Sequence, residues 1–158
     1  MLRIVSLSAF LLLGCLGSAW AGCGDPAATN LEALLGGQLV CASKVSGEQY
    51  QEEHIPGGNL IERARGLNDP IDPSYDAGSW TPQAGTPESV CYTYGEGGSG
   101  GTFCFTVHPN TDGSYSFCEG AVENARGVLF PLPAVGVVCN PPSISSLPRS
   151  LPLTVEPG

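Results

Sequence analysis

Residues 88–118, ESVCYTYGEGGSGGTFCFTVHPNTDGSYSFC, decide the fold of this chain. They read as three consecutive antiparallel strands that satisfy one register. Val90, Tyr92 and Tyr94 alternate along the first, Phe103, Phe105 and Val107 along the second, and Tyr115 and Phe117 along the third. Successive strand side chains point to opposite faces, so each set lies on one face. Folding about the glycine-rich loop sets Tyr92 opposite Phe103 and Cys91 opposite Cys104. Folding about residues 108–113 is expected to set Cys104 opposite Cys118 and Phe105 opposite Phe117. One face is then aromatic and aliphatic; the other carries Cys91, Thr93, Cys104, Thr106, Ser116 and Cys118. A slip of one residue would mix the faces, which makes the register specific.

The 158 residues have room for one domain. Residues 1–21 read as a signal peptide: Arg3 supplies the positive start, and the apolar run 4–16 is too short to span a bilayer as a helix. Ala19-Trp20-Ala21 has the small-x-small pattern of a cleavage site, which places the mature start at Gly22. A lipoprotein signal ending at Cys15 is the secondary reading, because Leu13-Gly14 before it fits that pattern less well. No second stretch is apolar and long enough to cross a membrane, so a periplasmic or secreted protein is expected.

Six cysteines follow the leader: Cys23, Cys41, Cys91, Cys104, Cys118 and Cys139. An even number in an exported chain favours a disulfide framework and an oxidising compartment. Zinc is disfavoured, since there is no Cys-x-x-Cys pair and the histidines are only His54 and His108. The formal charge is −9, and without Arg3 the mature chain would carry five basic against fifteen acidic side chains. Such a surface favours solubility and argues against nucleic acid as a partner.

Working outward, residues 22–37 open with a short helix. Thr29 and Glu32 have capping-box spacing, Leu31, Leu34 and Leu35 share a face, and Gly36 can end it. So short a helix needs packing, and it is expected to cover an open end of the sheet. A first strand is expected at 38–43 and a polar, exposed one at 48–54. Gly57-Gly58 then turns into 59–65, where Leu60 and Ile61 face opposite ways without deciding which is buried. Residues 66–77 read as a loop, Gly78-Ser79-Trp80-Thr81 as a short strand with Trp80 inward, and 119–127 as a turn or helical piece before Val128-Leu129-Phe130. A last strand is expected at 135–139. The tail 140–158, with five prolines and no apolar periodicity, is expected to be disordered, which leaves 22–139 as the domain.

Seven or eight short strands with turn signals between them point to an antiparallel barrel or sandwich with one short N-terminal helix. The order of LLGGQLVCA (34–42), Gly78-Ser79-Trp80, VCYTYG (90–95) and FCFTV (103–107) resembles the small lipocalin-like barrels of secreted proteobacterial proteins. Bacterial inhibitors of the alkaline-proteinase type share that barrel. The resemblance spans residues 31–118 and implies a barrel that binds rather than catalyses. An inhibitor would also need an N-terminal segment that enters the protease, and none is identified.

Candidate chemistry is sparse. Gly95-Glu96-Gly97-Gly98-Ser99-Gly100 matches the dinucleotide fingerprint literally, but a strand follows where a helix is required. Asp69, Asp72 and Asp76 beside Asn68 could offer oxygens to calcium, yet the spacing fits no calcium loop and the prolines favour structural turns. His54 and His108 are expected to be solvated turn or strand residues. Glu52 and Glu53 are adjacent in a strand and cannot form a carboxylate pair. No catalytic, cofactor or metal residue is therefore assigned.

Tyr92, Tyr94, Phe103, Phe105, Tyr115 and Phe117 are either a ligand cup or filled core, with core preferred because a small domain has little interior to spare. The expected disulfides are Cys91–Cys104, tying a long flexible hairpin, then Cys118–Cys139 and Cys23–Cys41. The function expected is that of a monomeric, non-catalytic protein binding a small apolar ligand or a protein partner. The alternative is a structural or accessory envelope protein.

Overall fold

The computed structural model describes residues 22–63, 74–95 and 100–134, together with Cys139. Among the described residues one short helix, α1 (Leu31–Leu35), precedes eight strands: β1 (Gln38–Lys44), β2 (Gln49–His54), β3 (Asn59–Arg63), β4 (Ser74–Gln83), β5 (Ser89–Tyr94), β6 (Gly101–Pro109), β7 (Tyr115–Glu119) and β8 (Val122–Pro131). Each strand pairs antiparallel with the next, and β8 pairs back onto β1, so the sheet closes into an up-and-down barrel. Closure leaves no exposed sheet edge. The expected mainly β, antiparallel fold is thus present, as a barrel and not a sandwich. The leader 1–21 with Cys15, the loop residues Asn68, Asp69 and Asp72, the glycine loop at 96–99, a strand at 135–138 and the tail 140–158 lie outside the described residues.

The central meander has Cys91 opposite Cys104 and Tyr92 opposite Phe103, and Cys91 is bonded to Cys104. Beyond β6 the register departs from expectation by two residues: Thr106, not Cys104, faces Cys118, and Val107 faces Phe117. The turn is the cause. β6 continues to Pro109, and the loop closes through Asn110 N–H to Ser114 O (2.8 Å) and Gly113 N–H to Asn110 O (3.1 Å). A shift of two preserves which side chains share a face.

Two expected disulfides are corrected. Cys118 is bonded to Cys23 and not to Cys139; Cys41 is bonded to Cys139 and not to Cys23. Both bonds act as straps on the outer face of the barrel, since Cys118 and Cys41 alternate with the inward Phe117 and Val40. At one, Ala28 N–H donates to Val107 O (2.6 Å), and His108 Nδ1–H donates to Asp25 O (2.7 Å). At the other, Cys41 and Cys139 pack with Leu39 and half-buried Val128, Phe130 and Leu132. The segment beside Cys23 explains why His108, expected to be solvated, is buried on β6.

Three strand assignments also change. β2 is not an exposed strand: Gln51, Glu52 and His54 are buried. β4 begins at Ser74, inside the expected loop, and Asp76 lies on it with Oδ1 accepting the Gly78 N–H (3.0 Å). There β4 carries an extra residue between the partners of Leu60 and Ile61. Gly78 sits at that bulge with φ +139°, where a Cβ would lie 2.0 Å from Thr93 O; only glycine fits such an approach. Residues 122–127 are not helical but part of the ten-residue β8, whose register shifts between Phe117 and Cys118.

The helix does plug one end of the barrel. Leu31 and Leu35 are buried against Leu60, Trp80, Val90 and Val107, all of them at most 1 % exposed. Trp80 Nε1–H donates to Ile55 O (3.1 Å), which satisfies the indole's one donor. The expected capping box is absent: Asn30 occupies the N-cap position with φ 57° and makes no side-chain cap bond. Glu88, from the loop before β5, caps the helix instead, accepting from Asn30 N–H (2.6 Å) and Leu31 N–H (3.1 Å).

Candidate functional site: a cavity at the open end of the barrel

The other end of the barrel is not filled. A cavity of about 550 Å³ opens there, at the end carrying the β1–β2 and β5–β6 turns. Its shape follows from which residue types face inward on each part of the ring. β8 and β1 contribute the short side chains of Ala125, Val40 and Ala42, with Asn124 and Lys44 beside them. Across the barrel β5 and β6 contribute Tyr92, Tyr94, Phe103 and Phe105, and β7 adds Phe117. Small residues facing large ones leave space at the mouth, while Trp80 and the leucines fill the floor. Between these walls, β2, β3 and β4 contribute Tyr50, Glu52, Glu62 and Tyr75.

Of the six aromatics singled out in the sequence, five line the cavity; the sixth, Tyr115, packs instead against the core at the plugged end. Tyr92 and Tyr94 stack with ring centres 6.3 Å apart and planes 16° apart, and Phe103 tilts against Tyr94 at 6.2 Å. The aromatic face is therefore core at one end and cavity wall at the other.

A polar layer separates the filled floor from the cavity. His54 is wholly buried; its Nδ1 lies 3.2 Å from Glu52 O and its Nε2 3.0 Å from the Tyr92 hydroxyl. A carbonyl only accepts, so Nδ1 carries the proton and Nε2 accepts from Tyr92. Burial pushes the imidazole down to about 4, which keeps His54 neutral. Burial likewise raises the Tyr92 phenol well above its usual range, with the nearby Glu52 charge adding to it.

Glu52 is the centre of the acidic wall. The Tyr94 hydroxyl donates to its Oε1 at 2.6 Å. Directly across the strand pair stands Glu62, whose Oε2 accepts from the Tyr75 hydroxyl at 2.7 Å. Burial raises the Glu52 carboxyl to about 7; the Tyr94 bond opposes this, and the Glu62 charge reinforces it. The Tyr75 phenol is pushed up to about 12, first by its bond to Glu62. A third pair, Tyr50 to Glu48 (3.1 Å), stands at the rim, where Lys44 bonds Glu48 at 3.5 Å and lies 4.4 Å from the Tyr50 ring centre. Among the described residues Lys44 is the one cation of the lining, and neither Glu52 nor Glu62 has an ion-pair partner.

Glu62, Tyr50 and Tyr75 are not among the residues singled out in the sequence, and Glu52 enters there only to exclude a pair with Glu53. The signal was present in the alternation Tyr50, Glu52, His54 and Leu60, Glu62, which puts these side chains on one face of a hairpin. The polar composition of β2 concealed it, because polar strands ordinarily face water. Glu52 and Glu53 do point to opposite faces, with Glu53 paired to Arg63 (2.6 Å) away from the cavity. Among the described residues no cluster of histidine, cysteine and carboxylate side chains could hold a metal ion, and no helix is long and apolar enough to cross a membrane. Three disulfides fit an extracellular or periplasmic protein. No family model, curated protein or solved structure matches this chain.

Proposed function

We propose that this chain is an exported, monomeric, non-catalytic barrel that binds a small ligand in its open end. The observation that carries the reading is the cavity: about 550 Å³, walled by aromatic rings and closed at the floor by Trp80 and α1. Small-molecule sites are concave, mostly apolar and furnished with a few placed polar groups, at roughly 300–1,000 Å³. The leader 1–21, cleaved before Gly22, would deliver the domain to the oxidising side of the membrane, where its disulfides persist.

N-phenyl-1-naphthylamine, an uncharged probe that brightens in apolar surroundings, tests the cavity. The expected result is saturable enhancement at one probe per barrel, lost in an Ala125→Trp variant that keeps the wild-type melting temperature. Enhancement that is absent, or unchanged by Ala125→Trp, would refute a binding cavity.

A second reading, docking on a protein partner, is favoured by one observation. The exposed large hydrophobics, Val45 (65 %), Tyr75 (39 %), Phe103 (43 %) and Val122 (65 %), all belong to the open end of the barrel. Apolar surface gathered at one place is a mark of contact. A partner seated there would compete with the naphthylamine probe, whereas an accessory role through the outer wall would not.

A further inference from the structure

We infer that the ligand of this cavity is a small organic ammonium: a cationic N–H donor carried on an apolar stem. The inference rests on the reading that the open end of the barrel binds a ligand, and it adds the ligand's charge and polarity. Three observations lead to it.

The first is the placement of Glu52 and Glu62. They are direct cross-strand partners on β2 and β3, both turned into the cavity. Like charges opposite one another across a strand pair destabilise a sheet. Among the described residues no cation stands between them, since Lys44 is engaged at the rim by Glu48. An ammonium seated between the two carboxylates would turn this repulsion into two attractions.

The second is the direction of the hydroxyls. Tyr94 and Tyr75 each spend their single proton on one of these carboxylates, so the acidic wall presents acceptors rather than donors. A cationic N–H group matches that wall. A ligand carboxylate or phosphate would meet two negative charges on it, and among the described residues the unpartnered donor of the lining, Asn124 Nδ2, belongs to β8 and not to that wall.

The third is the aromatic wall. Tyr92, Tyr94, Phe103 and Phe105 stand across the mouth within ring-to-ring distances of about 6 Å of their neighbours. Aromatic faces attract cations and also bury an apolar stem. Charge recognition and apolar recognition thus come from adjacent walls of one cavity, which favours a molecule with a cationic head and an apolar body over a simple metal ion.

Three matched probes test this: 4-phenylbutylamine, its uncharged analogue 4-phenylbutanol, and the anion 4-phenylbutyrate, each titrated calorimetrically into the full domain with disulfides intact, at about pH 8, where a carboxyl of the Glu52 kind is ionised. The expected result is that the amine binds at least about tenfold more tightly than the alcohol and that the butyrate does not bind. Glu52→Gln, which keeps an oxygen for the Tyr94 hydroxyl, should weaken the amine far more than the alcohol and so remove that preference. If the alcohol or the butyrate binds as well as the amine, or if the preference survives in both Glu52→Gln and Glu62→Gln, the ammonium assignment is overturned and the cavity reading stands. If none of the three binds, and N-phenyl-1-naphthylamine does not either, both fall.

Discussion

Replacing Glu52 by glutamine is expected to stabilise the barrel above neutral pH, although it removes a buried residue's charge from a hydrogen bond. Folding carries this carboxyl from its usual value of 4.5 to about 7, chiefly by burial, with the Glu62 charge adding to the effect. At about 1.4 kcal/mol per pH unit, holding Glu52 ionised inside the folded barrel costs about 3 kcal/mol. The sign follows from the folded state holding its proton to higher pH than the unfolded chain. Glu52's contribution to stability is fully present below about pH 4.5 and is lost as the pH rises through about 7.

His54 works the other way. Its folded value is lowered from 6.5 to about 4, so its contribution is present above pH 6.5 and lost as the pH falls through about 4. The two slopes oppose each other between those limits, and the wild-type profile alone would show neither. The difference between variant and wild type removes the His54 part. Lys44, Tyr50, Tyr75, Tyr94 and Glu62 face the same space, and all of them remain in the variant. Glutamine also preserves an acceptor for the Tyr94 hydroxyl, so packing is little changed.

Urea unfolding of both proteins at about pH 4.5 and about pH 8, with disulfides intact, measures the difference directly. The stability of Glu52→Gln relative to wild type should rise by about 3 kcal/mol between the two conditions. A relative stability that stays constant, or falls, would refute the placement of an ionising carboxylate inside the barrel.

Three further outcomes are expected. Removing Cys23–Cys118 should cost roughly 1–2 kcal/mol more than removing Cys91–Cys104, because the bonds close loops of 95 and 13 residues; equal costs by denaturant titration, or a Cys118–Cys139 peptide in a non-reducing digest, would contradict the straps. Glu88→Ala should lower stability by about 1 kcal/mol through loss of the cap on α1, and faster amide exchange at Leu31 would locate the effect. Trp80→Ala should cost about 3–5 kcal/mol, since it empties the floor and removes the indole's bond to the Ile55 carbonyl; a loss below about 1 kcal/mol would mean that the floor is not packed.

What was legible in the residues was whatever local alternation and covalent chemistry decide. The meander announced itself through Val90, Tyr92, Tyr94 and Phe103, Phe105, Val107, because a half-buried strand can carry that pattern only one way round. From it came the β class, the pairing of Cys91 with Cys104, and the inward set of aromatics. The helix position and the burial of Trp80 were legible for the same reason, as apolar residues at fixed local spacing.

The tertiary structure alone decided the rest, and each case turns on a partner far away in sequence. Closure of β8 onto β1 made both faces of the wall usable, so the outward Cys118 and Cys41 met terminal segments nearly a hundred residues away instead of their sequence neighbours. Glu88 replaces the local capping box because the loop before β5, fifty-eight residues beyond Asn30, brings its carboxylate to the helix N-terminus. Most consequentially, β2 reads as a solvent-exposed strand when taken alone. Inside a closed ring its alternate residues have nowhere to point but inward, and the hydroxyl of Tyr94, forty-two residues on, makes a buried Glu52 tolerable. A polar pattern records how often residues meet water on average; which of them a barrel encloses is set by the ring that forms around them.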